Sequence, residues 1–376
     1  MAVRRAVVAG VGALPFAKDL AMTERRAGAL AILAALEDGG LAAADVDGMV
    51  RSAWERTTEM EMARVLGVGN LRYFGSVDYG GGAGAPLLGQ AAMAVEHGVA
   101  DVVVVWRARN RGSGGRPWAA QLLADGQDQF ERPHGLVRPV DGMAIFTRHW
   151  MHRYGWRRED LGVVAVTQRE HARRNPAALM RTPMSMEDYL AGRMIADPLC
   201  LFDCCLETDG ALALVVTTAE RADAAGARPA YIAGYAWGSG AETYAMTSFY
   251  GDDFGVTPAR AVAAELWQRT GLTANDIDVA QLYDGFTPQV LVQLHEYGFC
   301  DEGEGPAYLR DAAAVPVNTS GGGLSEAYVH GFNLLVEGVR QIRGDAPSPV
   351  AGVQHVLVSS GNVVPTGAVV LSRELP

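Results

Sequence analysis

The sequence predicts an α/β fold made of two similar halves, each a sheet covered on both faces by helices, so that the two stack as five alternating layers, αβαβα. An internal repeat comes first: Gly40-Leu41-Ala42-Ala43-Ala44-Asp45-Val46-Asp47 is echoed by Gly271-Leu272-Thr273-Ala274-Asn275-Asp276-Ile277-Asp278. Each copy follows an Ala-rich helical pattern and precedes an apolar run. The strand patterns are continuous Val, Ile and Leu, as in Asp101-Val102-Val103-Val104-Val105, which marks strands buried on both faces. Finally, strand and helix patterns alternate along the chain.

The first strand is expected over Ala6 to Leu14. Arg4-Arg5 precedes it, but the stretch is short, Gly-interrupted and closed by Pro15, which suits a strand better than a signal peptide. A helix over Ala91 to His97 leads into the strand Asp101 to Val105, as a helix over Phe332 to Ile342 leads later into the strand His355 to Val358. Between Arg107 and Pro198 runs a segment rich in Arg, Trp and Met with no counterpart in the second half, of the kind that forms a lid or wall over a site. The charged, Ala-rich stretch from Glu220 to Arg228 precedes a strand over Pro229 to Tyr235. The expected division is therefore 1–220, with an inserted region of about 107–198, and 229–376.

The chain has 376 residues, 49% of them apolar, enough for a large core and for more than one simple domain. A net charge of -11 gives no general attraction to phosphate backbones or anionic lipid, so neither nucleic acid binding nor membrane insertion is expected. No run approaches the roughly 20 apolar residues of a membrane span. Cys200, Cys204, Cys205 and Cys300 form neither a zinc spacing nor a disulfide framework, which fits a reducing cytoplasm. Of 32 basic residues, Lys18 is the one lysine, so a Schiff-base aldolase would have only that amine to use.

Four segments in order carry a family resemblance. Leu201-Phe202-Asp203-Cys204-Cys205-Leu206-Glu207-Thr208-Asp209-Gly210-Ala211 resembles the sterol-carrier-protein-X, or lipid-transfer-protein, branch of the thiolase superfamily. Tyr283-Asp284-Gly285-Phe286, Glu296-Tyr297-Gly298-Phe299-Cys300 and Asn318-Thr319-Ser320-Gly321-Gly322 extend the likeness over nearly the whole chain. The resemblance implies the thiolase fold, two βαβαβαββ halves, in agreement with the repeat. The departures are informative. Where thiolases open a helix with a nucleophilic cysteine, this chain has Gly81-Gly82-Ala83-Gly84, and the second family cysteine falls near Ser359-Ser360-Gly361-Asn362, again without a thiol. The two oxyanion-hole positions of the family are occupied by Tyr283 and Tyr328, which keep an O–H donor and lose the imidazole.

Cleaving a β-hydroxyacyl-CoA by retro-aldol chemistry takes a proton from the β-hydroxyl, stabilises the departing thioester enolate and returns a proton to its α-carbon, with no covalent intermediate. Loss of the thiols with retention of donors fits that reaction. Tyr283 is assigned as base toward the hydroxyl and Tyr328 as donor to the enolate or α-carbon, with exchange of the two roles left open. A phenol acting as base needs its pKa lowered from about 10, and backbone N–H groups of Gly80-Gly81-Gly82 and Gly321-Gly322-Gly323 are candidates for doing so. No thiol is expected beside the pair.

The resemblance further implies a steroid side-chain-cleaving aldolase that gives a 17-ketosteroid and propionyl-CoA in cholesterol or bile acid catabolism. It also implies a homodimer joined to a small OB-fold, zinc-ribbon partner as a heterotetramer, with any zinc in the partner. No cofactor is expected in this chain beyond the CoA thioester, which is substrate. Tyr244, Tyr250, Gly81 and His330 are candidate residues of the substrate cleft, although loop aromatics are commonly simple cover and His330 and His295 suit surface or core positions. His149 and His152 share a helix pattern but lack further ligands for a metal. Arg107, Arg109, Arg111 and Arg116 suit either CoA phosphates or a solvated face, and Cys204 and Cys205 suit small buried side chains. The alternatives are a non-catalytic lipid or acyl-CoA binding protein, a scaffold subunit, and a residual thiolase-type acyltransferase. Cleavage of β-hydroxyacyl-CoA thioesters, and its dependence on the two tyrosines, separates them.

Overall fold

The computed structural model describes residues 4–115, 124, 126, 128–240, 255–311 and 315–374. The chain opens with β1 (Ala6–Ala13) and α1 (Glu24–Asp38), which lie in direct contact because β1 carries glycine where α1 crosses it. A Cβ on Gly10 or Gly12 would meet the carbonyl oxygens of Ala35 and Ala31 at 2.0 Å. Thr23 caps α1, its Oγ1 accepting the Arg26 N–H at 3.3 Å. β2 (Gly48–Ser52), α2 (Glu59–Leu66), β3 (Tyr73–Val77), α3 (Gly84–Glu96) and β4 (Val102–Asn110) follow. Four helices, α4 (Asp128–Glu131), α5 (Pro139–Tyr154), α6 (Arg158–Arg174) and α7 (Met186–Leu190), precede a ribbon of β5 (Met194–Ala196) and β6 (Leu199–Cys200), then β7 (Asp209–Thr218) and α8 (Ala219–Ala224). The remaining elements are β8 (Ala230–Gly238), α9 (Pro258–Thr270), β9 (Val279–Gln281), α10 (Thr287–Glu296), α11 (Gly305–Arg310), α12 (Phe332–Arg343), β10 (His355–Ser360) and β11 (Thr366–Ser372).

Among the described residues, nine strands pair in the order β3-β2-β4-β7-β1-β8-β11-β10-β9. Outward from the middle, the series β1, β7, β4, β2 recurs as β8, β11, β10, β9 with the same senses: antiparallel, antiparallel, then parallel. Val317 even bridges in parallel to Ala280 at the place that β3 takes beside β2. The two series pair at β1 and β8 through Val7–Tyr231 and Val8–Ala230.

Helices α3 and α12 pack between the two series, each against strands of both. Their residues Leu87, Leu88, Leu335 and Val339 share one core with Val103, Leu214, Val358 and Val369. A second core joins α1 to the outer face of the first series through Ile32, Leu36, Val104 and Val215, and a third joins α9, α10 and the α5–α6 region to the second series through Leu266, Leu291, Trp150 and Val370. Those three cores separate five layers.

Some boundaries differ from the sequence pattern. β4 runs on to Asn110, because Arg107 and Arg109 are strand residues held by buried carboxylates rather than the start of a loop. α3 begins at Gly84, seven residues ahead of Ala91, since Pro86 is tolerated in a first turn while the glycines around it disguise the helix. Among the described residues no helix is long and apolar enough to cross a membrane.

Candidate active site

Three strand-to-helix loops meet over the ends of the central elements. Gly80–Gly82 forms the turn before α3, Tyr283 follows β9, and Tyr328 lies between a π-helical turn, Gly322–Glu326, and α12. The Tyr283 and Tyr328 hydroxyls share a hydrogen bond, their ring centroids lie 6.3 Å apart, and the residues are 7% and 5% exposed. Gly81 makes room for the pair, because a Cβ there would stand 1.9 Å from the Tyr283 hydroxyl oxygen. The phenol thus occupies the space that a side chain at position 81 would fill.

The Tyr283 backbone is clamped on both sides. Its N–H donates to Ser359 Oγ at 2.8 Å, its carbonyl accepts from Gln293 Nε2 at 2.7 Å, and Ser359 in turn donates to Gln293 Oε1. Ser360 Oγ accepts the Ala85 N–H at 3.1 Å, and Gly361 rests against Gly82, so the Ser359-Ser360-Gly361 stretch buttresses the site. The segment Leu201–Ala211 stitches the phenol loops together. Cys205 N–H donates to Gly285 O and Leu206 N–H to Gly323 O, each at 3.0 Å, and the Tyr328 N–H reaches Thr208 Oγ1 at 3.3 Å. Tyr79, Asn318 and His330, non-glycine residues at positive φ (72°, 50° and 51°), all adjoin these loops.

Electrostatically the site departs from the expectation. Burial raises the pKa of both phenols, and the Cys205 thiol beside them adds to the rise. Several backbone N–H groups of the two glycine turns are spent elsewhere. Gly323 N–H donates to Asp284 at 2.7 Å, and those of Gly82 and Ala83 close their own turn on Tyr79 O and Gly80 O. Burial also pushes Asp284 up to about 7, against the lowering effect of the Gly323 and Leu324 N–H groups.

Two further corrections concern Cys205 and the arginines. Cys205 is buried, as expected of a small side chain, but it lies beside the two tyrosines, against the expectation that no thiol would. Burial pushes it up to about 12, which keeps it protonated and poorly nucleophilic, and neither Gly81 nor Ser359 through Asn362 supplies the thiolase sulfurs. Arg107 and Arg109 are not a solvated face. Arg107 pairs with Glu55 at 2.5 Å, both side chains hidden, and Arg109 lies 3.9 Å from Glu24. Arg111 Cζ lies 5.5 Å from the centroid of the Tyr328 ring.

Of the cleft candidates, Gly81 and His330 are at the site. His330 packs edge-on to Tyr328, with ring centroids 5.3 Å apart, and to Trp54 at 5.6 Å. Burial, and then Arg107, Arg111 and Arg109, hold its pKa well below the usual value, so it is neutral. Tyr244, Tyr250 and Arg116 lie outside the described residues. His149 and His152 share α5, and no group of three His, Cys, Asp or Glu among the described residues is placed to hold a metal. Lys18 is exposed, away from the buried setting a Schiff-base amine needs. At the Gly80–Gly82 turn a cleft of about 370 Å³ is lined by Tyr79, Gly82, Gln90, Trp237 and Pro365 among others, and neither phenol lines it. Sequence reasoning missed Cys205 and Arg111 as neighbours of the pair, and Trp54 as a neighbour of His330 and Gly80. The Leu201–Ala211 motif was the available signal for Cys205, and alternate spacing along a strand was the signal for Arg107 and Arg109.

Residues 239–373 match the thiolase C-terminal domain-like family. Over 98% of this chain and 99% of the relative, the sequence is 44% identical to the 17-hydroxy-3-oxo-4-pregnene-20-carboxyl-CoA lyase of Mycobacterium tuberculosis. It is 42% identical, over 98% of each chain, to the steroid side-chain-cleaving aldolase of Thermomonospora curvata. The chain belongs to the steroid side-chain-cleaving aldolase branch of the thiolase superfamily. The solved structure of an Ltp2-ChsH2(DUF35) aldolase superposes on this aldolase homologue with a TM-score of 0.94 at 42% identity over 99% of both chains. A monomeric SCP2-thiolase-like protein type 1 from Mycobacterium smegmatis shares the fold at 18% identity, with a TM-score of 0.80 over 100% of this chain and 79% of that one.

Proposed function

We propose that this chain cleaves a β-hydroxyacyl-CoA by a retro-aldol reaction, with a steroid side-chain thioester as substrate and a 17-ketosteroid and propionyl-CoA as products. The observation that carries the reading is the hydrogen-bonded Tyr283–Tyr328 pair standing where Gly81 leaves no nucleophile. In this account one phenol takes the β-hydroxyl proton as the Cα–Cβ bond breaks, the ketone departs, and the other phenol donates to the enolate oxygen or α-carbon. The hydrogen bond between them passes the proton across, so the catalyst ends as it began. Raised phenol pKa values suit the donating step, since the hydroxyls stay protonated at neutral pH.

Cys205 is the thiol on which a residual acyltransferase would depend, and the burial that keeps it protonated argues against that reading. For partners, β3 is an open sheet edge whose Phe74 is 64% exposed, which supports a second copy of the chain pairing there. The relative solved as a complex with ChsH2(DUF35) supports a small second subunit. A reducing cytoplasm and sterol catabolism complete the proposal.

The test is incubation of the purified chain, alone and with its partner, with β-hydroxyacyl-CoA thioesters while ketone release is followed. Cleavage is expected, and Tyr283→Phe and Tyr328→Phe are each expected to lower kcat by about 10²–10⁴-fold, with KM changing only a few-fold. Ketone release that survives both substitutions, or fails under every pairing, contradicts the reading.

A further inference from the structure

Burial works against ionisation of the two phenols, yet a phenol that accepts the β-hydroxyl proton must ionise transiently. The structure holds one device suited to this. The Arg111 guanidinium lies over the Tyr328 ring, with Cζ 5.5 Å from its centroid, a cation–π distance. Arg111 and Tyr328 hang on the same residue, since the Arg111 N–H donates to Thr208 O at 3.3 Å and Thr208 Oγ1 accepts the Tyr328 N–H. The next residue, Gly112, is pinned by its N–H to Asp209 Oδ1 at 2.8 Å.

Among the described residues, Glu207 and His330 contact the guanidinium. The Glu207 carboxylate, its side chain 33% exposed, accepts from Arg111 Nε at 3.2 Å. His330 Nε2 lies 3.1 Å from Arg111 Nη1, while its Nδ1 faces Arg107, whose charge is matched by Glu55. Because His330 is uncharged, it spaces the two guanidiniums without adding a third positive charge beside the phenols.

We propose that Arg111 is the positioning residue that sets the proton affinity of the Tyr283–Tyr328 pair, its charge stabilising whichever phenolate forms and its place fixed by Glu207 and neutral His330. The inference rests on the proton-transfer role proposed for the two tyrosines. Arg111 opposes burial at both phenols, whereas the Cys205 thiol and Asp284 carboxyl oppose ionisation of Tyr283, and Cys205 that of Tyr328. Glu207 faces the pair through Arg111, and His330, Arg107 and Arg109 lie behind it. Nothing in this arrangement requires Arg111 to touch the substrate.

The experiment uses the full chain with a β-hydroxyacyl-CoA thioester. Because both phenols stay protonated through the working range, the effect of the charge is read in kcat. Arg111→Gln is expected to lower kcat at neutral pH by about tenfold or more, with KM changed only a few-fold, the loss that a tenfold change in proton affinity produces. Incorporation of 3-fluorotyrosine, a more acidic phenol, is expected to restore most of the lost activity. Glu207→Gln, which leaves the guanidinium in place and removes its counter-charge from a partly exposed position, is expected to raise kcat a few-fold, and it carries the test should Arg111→Gln not fold. An unchanged kcat in either folded variant, or a loss that fluorotyrosine does not restore, overturns the proposal. If Tyr283→Phe and Tyr328→Phe keep full activity, the underlying reading fails instead, so the two failures are distinguishable.

Discussion

Placing the Tyr283 phenol against the Gly80–Gly82 turn demands space, and Gly81 provides it. The Tyr283 hydroxyl stands 1.9 Å from where a Cβ would be, so Gly81→Ala must push the buried ring aside. The expected result is a loss of kcat of about 10²-fold or more from a shift near 1 Å, together with a melting temperature lower by the cost of overpacking, about 1–3 kcal/mol, measured by ketone release and calorimetry. Cys205 makes a second prediction at this scale. A thiol pushed up to about 12 presents roughly one thiolate in 10⁴ at pH 8, so iodoacetamide should label Cys205 slowly and Cys205→Ser should keep ketone release within about tenfold of the parent. Mass spectrometry of the alkylated protein reads the first effect and the standard assay the second. The positions of Tyr283, Tyr328 and Gly81 were legible because each falls in a recognisable segment at a family position. The rise in their proton affinity was not, since it depends on which N–H groups are already spent, such as that of Gly323 on Asp284.

At the level of elements, buried carboxyls tie helices to the loops that carry the site. Glu296 ends α10 and accepts the Thr257 N–H at 2.6 Å ahead of α9, while Asn362, in the loop below Ser359, donates to Thr257 Oγ1 at 2.9 Å. Burial pushes Glu296 up to about 8, above the usual carboxyl value of about 4.3. With the folded pKa the higher one, the folded state binds the proton more tightly. Stability from this group is therefore complete below about pH 4 and is lost as pH rises toward 8. Asp284 and Glu337, each near 7 through burial, act in the same direction. Melting temperatures are expected to fall between pH 5 and pH 8, and Glu296→Gln to flatten that fall; a fall of unchanged steepness in the variant contradicts the assignment. Element types in the paired Val-rich strands were readable from pattern alone. The ends of β4 and the start of α3 were not, because a strand arginine with a buried carboxylate partner looks like a loop, and a glycine-rich first turn hides a helix.

For the whole molecule, the repeated strand series β1, β7, β4, β2 and β8, β11, β10, β9 supports a duplication, and we place its seam at 220–229, across α8. The internal echo at Gly40 and Gly271 made that architecture legible from sequence. Which strand lies open at the edge was not, because edge and centre are set by pairing partners far apart in the chain. The exposed Phe74 on β3 is expected to be covered by a second copy, so Phe74→Asp should convert the assembly to single copies in analytical ultracentrifugation. A parent protein that already sediments as one copy contradicts the pairing without touching the chemistry. That chemistry is tested most directly by a crystal structure of the chain holding a β-hydroxyacyl-CoA thioester. One phenol oxygen of Tyr283 or Tyr328 should lie about 2.6–3.2 Å from the β-hydroxyl, with the other beside the thioester oxygen or α-carbon. A substrate whose reacting carbons sit away from both hydroxyls, or against the Cys205 sulfur, contradicts it.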